Sequence, residues 1–115
     1  MLAAMPWPQA EMILQGTDLA RLTPMTHASL DELRIELTKV AEQGYAVDDE
    51  ERSTGVRCVG AAMHDHAGSL AAVSVSGPTM RMQGAAFDTV RDKVVAAAQT
   101  ATLRLGGARS TARPW

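Results

Sequence analysis

Two runs of small and β-branched residues, Val56–Met63 and Leu70–Ser76, stand on either side of a short turn, His64–Gly68. A gap of about five residues has room for a hairpin but not for a parallel crossover, so the two strands should pair antiparallel. In the second strand Val73 and Val75 share one face, and Ala72, Ser74 and Ser76 share the other. Gly77-Pro78 ends it. A further strand opens at Tyr45-Ala-Val and runs into four carboxylates, giving a span of Tyr45–Glu51. Three strands need at least one covered face to be stable. The spacing therefore predicts an α+β layer, an antiparallel sheet flanked by helices. An edge of so small a sheet would still need pairing from chain outside this sequence.

The helices that could cover it are legible from their ends. Ser29 and Glu32 make an S-x-x-E capping box at the start of a helix over Ser29–Gln43. Leu30, Leu33, Leu37, Val40 and Ala41 recur at helical spacing, and Gly44 is placed to stop the helix. Ala85–Leu105 reads as a long helix whose packing face is Phe87, Val90, Val94, Ala98, Ala101 and Leu105. Gly106-Gly107 ends it. A short helix over Pro8–Gln15 would turn Met12 and Ile13 to the core. Thr17–Thr26, broken by Pro24, reads as irregular.

Composition narrows the function. With 115 residues the chain is one domain, expected over 1–107, followed by a loose polar tail over 108–115. Its net charge of −2 makes it a poor DNA binder on its own, because phosphate contacts call for a basic surface. One cysteine excludes an internal disulfide and any multi-cysteine metal framework. No apolar run approaches the ~20 residues of a membrane helix. Pro6 and Pro8 interrupt the apolar start too early for a signal peptide, so the expected compartment is the cytoplasm, away from any membrane.

Candidate chemistry is sparse. Asp48 and Asp49 point to opposite faces if the strand continues, so at most one could serve a pocket as an acceptor; otherwise the Asp48–Glu51 run is a solvated strand end. Cys58 lies mid-strand, where a cysteine is an inert or ligand-lining group unless a base activates it. Ser74 and Ser76 share a face and either line a pocket, donating to a carboxylate or carbonyl, or face water. His64-Asp65-His66 reads as a hairpin tip rather than a metal site, which would need further converging ligands. No nucleotide, hydrolase or zinc-protease motif occurs, so neither a cofactor nor an enzymatic activity is expected.

Three stretches then fall in one register: Gln43-Gly-Tyr-Ala-Val-Asp-Asp-Glu-Glu51, Gly55-Val-Arg-Cys-Val-Gly-Ala-Ala62 and Ala71-Ala-Val-Ser-Val-Ser-Gly-Pro78. With their order and spacing, Leu30–Gly106 resembles the C-terminal half of the effector-binding domain of IclR-type bacterial transcriptional regulators. Met1–Thr26, with its Leu22-Thr-Pro-Met-Thr26 run, looks like the variable stretch just upstream. The resemblance implies a partial sensor domain with a fold like PAS and GAF domains. It implies a small organic or aromatic acid as effector and assembly into a dimer or tetramer. It implies contact with DNA only through a winged helix-turn-helix domain, which this sequence does not contain. Carried over by position, the ligand-binding residues are Asp48, Cys58, Ser74 and Ser76. Gly77 and Pro78 match a structural turn. The competing expectation is an interaction fragment without a ligand, pairing with itself or a longer paralogue; a small hydrolase built on Cys58 is a nominal third.

Overall fold

The computed structural model describes residues 1–108. Of the tail expected over 108–115, residues 109–115 lie outside the described residues. After a 3-10 turn at Leu2–Ala4 come helices α1 (Trp7–Gln15) and α2 (Leu30–Gln43). Strands β1 (Ala46–Asp49), β2 (Val56–His64) and β3 (Leu70–Pro78) follow, then a 3-10 turn at Thr79–Arg81 and helix α3 (Gly84–Arg104). The sheet is an antiparallel meander in the order β1-β2-β3. This is the expected α+β layer. No helix among the described residues is long and apolar enough to cross a membrane.

The core sits where α3 crosses one face of the sheet. Val59 and Ala61 from β2 meet Val94 and Ala98 from α3, with Met82 closing one end. Small side chains let α3 approach closely, so this core holds little volume for the area it buries. Arg57 fastens the rim. Its Nε and Nη2 donate to Asp49 Oδ1 at 3.0 and 2.7 Å, its Nη1 donates to the Met82 carbonyl at 2.6 Å, and its guanidinium lies 5.9 Å from the Phe87 ring centre. One side chain thus joins β1, β2 and the approach to α3.

The ends of α2 form as expected. Glu32 donates its N–H to Ser29 Oγ, and Gly44 adopts a left-handed φ of 85° while its N–H reaches the Val40 carbonyl. The reciprocal arm of the capping box lands one residue early, since the Glu32 carboxylate accepts from the Ala28 N–H at 2.9 Å. The apolar stripe of α2 is only half-buried.

Four expectations need correction. Helix α1 buries Ala10 and Leu14, while Met12 and Ile13 face outwards. One turn separates the buried pair, and a helix this short has a single face to offer. On α3 the last buried position is Thr102, not Leu105. The helix stops at Arg104, and Thr102 is held at the sheet by receiving the His64 N–H on its hydroxyl. Strand β1 is shorter than Tyr45–Glu51. Glu50 takes a positive φ of 59°, and Asp48 Oδ1 accepts the Glu51 N–H at 2.8 Å, so the chain turns there instead of continuing. Finally, β2 and β3 run on to His64 and Pro78, beyond the expected Met63 and Ser76.

Candidate functional site

The ladder register decides which side chains can meet. Val59 and Ala61 point to α3, so their neighbours Cys58, Gly60 and Ala62 point to the opposite, uncovered face. Directly paired residues share a face. Asp48 pairs with Cys58, and Cys58 pairs with Ser76; Gly60 lies between Ala46 and Ser74. Asp48, Cys58, Ser74 and Ser76 therefore form one contiguous group on the open face, drawn from all three strands. Asp49 falls on the other face, tied to Arg57.

Within the group, the Cys58 thiol donates to Ser76 Oγ at 2.9 Å. That leaves the Ser76 hydroxyl proton free to donate outwards. Ser74 and Ser76 are exposed, and Asp48 and Cys58 are half-buried. Gly60 contributes the floor: a Cβ added there would come within 3.3 Å of Ser74 Cβ. Around the polar group the face carries the small residues Ala46, Gly60, Ala62 and Ala72, with Val56 and Pro78 at one end and His64 and Leu70 at the other. Nothing here activates Cys58. Its partner is a neutral hydroxyl, and His64 is roughly 20 Å further along the strand at ~3.3 Å per residue. His64-Asp65-His66 is structural. Asp65 Oδ1 receives the Ala67 and Ser69 N–H groups, each at 2.9 Å, and those bonds hold its carboxyl below the usual carboxylate range. Among the described residues no cluster could hold a metal ion.

Two clefts open elsewhere. One of about 300 Å³ lies between the end of α2, the end of β2 and α3, with Gly44, His64 and Thr102 on its walls. The other, of about 320 Å³, is bounded by Met25, His27, Glu36, Lys39, Val47, Asp49 and Glu51. Neither includes any of the four residues named from the sequence.

The position of Asp48 is set by a clamp that sequence reading missed. Thr23 Oγ1 donates to the Glu50 carbonyl at 2.6 Å, and Thr26 Oγ1 donates to the Glu51 carbonyl at 2.5 Å. The loop before α2 thereby grips the turn that follows β1. The two threonines flanking Pro24 were the available signal, but their partners lie more than twenty residues away in sequence. His27 pairs with Glu51 at the same place. Burial lifts the Glu51 carboxyl above its ordinary value of 4.5, the charges of Asp48 and Glu36 push the same way, and His27 opposes them. A carboxyl raised in the folded state stabilises the fold most at low pH, and that contribution is lost as pH climbs through the raised value. Urea melts should therefore show stability falling upwards from about pH 4.5. Glu51→Gln should flatten that segment of the profile; an unchanged slope would remove Glu51 as its source.

Comparison with known proteins places the fold. Residues 1–102 match the family model described as bacterial transcriptional regulator IclR C-terminal. The chain is 42% identical over 88 residues to the HTH-type transcriptional regulator BhcR of Paracoccus denitrificans, covering 76% of this chain and 32% of that protein. It thus spans about a third of that relative. The crystal structure of the Thermotoga maritima IclR superposes with a TM-score of 0.84 at 33% identity, over 91% of this chain and 43% of that one. A double mutant of the PobR inducer-binding domain from Acinetobacter, solved with 3-hydroxybenzoic acid, shares the fold at a TM-score of 0.74 and 21% identity, over 92% of this chain and 61% of that one. These relatives are named as regulators, not enzymes, and their C-terminal domains have the GAF-like fold. The chain belongs to the IclR family of bacterial transcriptional regulators, within the C-terminal, effector-binding domain.

Proposed function

We propose that residues 1–107 are the sensor unit of such a regulator and that the open sheet face binds a small organic or aromatic acid. The observation that carries this is the register, which gathers Asp48, Cys58, Ser74 and Ser76 on one uncovered face. The Ser74 and Ser76 hydroxyls donate to the effector carboxylate, Asp48 accepts from a donor elsewhere on the molecule, and Cys58 forms wall. Strands and helices upstream in a longer protein would close the pocket from the other side. In that cytoplasmic protein, binding would favour one quaternary arrangement, dimer or tetramer, over another. That would change the DNA affinity of a winged helix-turn-helix domain outside this sequence. Equal affinity for both arrangements would shift nothing, so the effector must contact the two differently.

A thermal melt of the purified chain against a panel of aliphatic and aromatic acids tests the reading. A ligand at a hundred times its dissociation constant adds ~2.7 kcal/mol, a shift on the order of 10 °C in a domain this small. The expected result is a shift confined to one class of acid. A cooperative melt unmoved by every acid would overturn acid binding by this chain.

A further inference from the structure

The β1–β2 ladder fixes where the Asp48 backbone sits, because Asp48 is paired with Cys58. It does not fix which way the carboxylate turns. Among the described residues one bond sets that, the Glu51 N–H donating to Asp48 Oδ1. The bond exists only while the chain doubles back at Glu50, whose φ of 59° is the one positive value at a non-glycine residue among those described. A non-glycine residue in that left-handed region is disfavoured and persists where its surroundings hold it. Two of the holding bonds are local. The Glu50 N–H donates to the Val56 carbonyl, and the Glu50 carboxylate accepts from the Gly55 N–H. The other two come from Thr23 and Thr26, on the loop before α2. Both hydroxyls have a settled direction. Thr23 Oγ1 accepts from the Met25 N–H at 3.1 Å, and Thr26 Oγ1 accepts from the Leu22 and Thr23 N–H groups at 3.1 and 2.9 Å. A hydroxyl has one proton to give, and with its lone pairs engaged inside the loop that proton goes to the turn.

We propose that Thr23 and Thr26 are positioning residues for Asp48, and that through it they set how strongly the site prefers an acid carrying a hydrogen-bond donor over the same acid without one. This rests on the reading above, in which Asp48 accepts from a donor on the effector. A hydrogen bond weakens steeply as its angle closes, so a carboxylate free to turn accepts less well than one held in a single orientation. A held carboxylate also has less freedom left to lose on binding. With Oδ1 already bonded to the Glu51 N–H, Asp48 meets a ligand best through Oδ2, which suits a single donor such as a hydroxyl. The effect is confined to that donor. Cys58, Ser74 and Ser76 stand on β2 and β3, whereas the threonine hydroxyls donate to Glu50 and Glu51. Loosening the clamp therefore turns Asp48 and spares the serines that hold the effector carboxylate.

Calorimetric titration of the full chain with two pairs of acids, lactate against propionate and mandelate against phenylacetate, tests the assignment. The wild-type chain should favour the hydroxy acid of at least one pair by roughly 10–100-fold, the range for a hydrogen bond to a charged group. Thr26→Val removes the hydroxyl and should cut that preference to about threefold or less, while Thr26→Ser keeps the hydroxyl and should keep the preference. Asp48→Ala should remove the preference, and adding Thr26→Val to Asp48→Ala should remove nothing more, since one acts through the other. Thr26 is only half-buried, so Thr26→Ala lets water reach the freed carbonyl and keeps the test open if the valine variant fails to fold. A preference that Asp48→Ala removes and both Thr26→Val and Thr26→Ala retain would overturn the proposal alone. Loss of affinity for both members of a pair in equal measure would do the same, because it marks a merely structural role. A wild-type chain that binds neither pair, or binds both members of each equally, would overturn the reading of Asp48 as an acceptor and the proposal with it.

Discussion

Replacing Ser74 and Ser76 together with alanine is expected to weaken effector binding by roughly 100-fold or more while leaving the melt of the free chain nearly in place. Hydrogen bonds to a charged carboxylate contribute about 1.5–3 kcal/mol each, so losing two amounts to at least two orders of magnitude in affinity. The fold has little to lose. Both serines are exposed, and neither donates a side-chain hydrogen bond within the described residues; Ser76 only accepts from Cys58. Substitutions at such sites stay within about 0.5 kcal/mol. Calorimetric titration with an acid that shifts the wild-type melt measures the affinity, and a urea melt checks the fold. Cys58→Ser keeps a small polar wall group and should change affinity less than tenfold. Unchanged affinity in the serine double variant would move the site off the open face, and the clefts beside α2 would then be the places to look.

How far this arrangement could be read in advance depends on how local each determinant is. The hairpin was legible because a turn as short as His64–Gly68 allows one topology. Helix α2 was legible because Ser29, Glu32 and Gly44 act within one turn of its ends. That Ser74 and Ser76 share a face follows from the period of a strand alone. The choice between Asp48 and Asp49 does not, and it came from the family resemblance; the ladder then shows Asp48 opposite Cys58 and Asp49 turned to Arg57. Determinants acting across long sequence gaps were invisible. The grip of Thr23 and Thr26 on Glu50 and Glu51 looks like an irregular loop in sequence, and the same grip is what ends β1 early. Helix α1 failed for a different reason. Met12 and Ile13 are apolar enough to suggest a core face, yet Ala10 and Leu14 take it, leaving larger side chains outside. Strong hydrophobicity marks a surface that must be covered, and within one short chain it does not say by what.

Val59→Asp is expected to abolish the cooperative fold, and Val59→Ala to cost about 2–3 kcal/mol. Val59 is fully buried, with Val47 and Val75 beside it in the sheet and α3 above. Its neighbours Ala61 and Ala98 are too short to collapse into the space that two lost methyl groups would leave, so the transfer loss and a cavity cost add. An aspartate there has no cation to meet on that face nearer than the rim, where Arg57 is already committed to Asp49 and the Met82 carbonyl. Burying an unpaired carboxylate costs several kcal/mol, against a total stability of roughly 6–17 kcal/mol at this length. The lower part of that range is the relevant one, because so much of this core is alanine. Circular dichroism melts and urea titrations of the two variants give the measurement. Met12→Ala and Ile13→Ala, on the exposed side of α1, should move stability by no more than about 0.5 kcal/mol. A folded Val59→Asp protein would mean that α3 does not seal this face of the sheet. The separation of a covered structural face from an open binding face, on which the serine prediction also depends, would then fail with it.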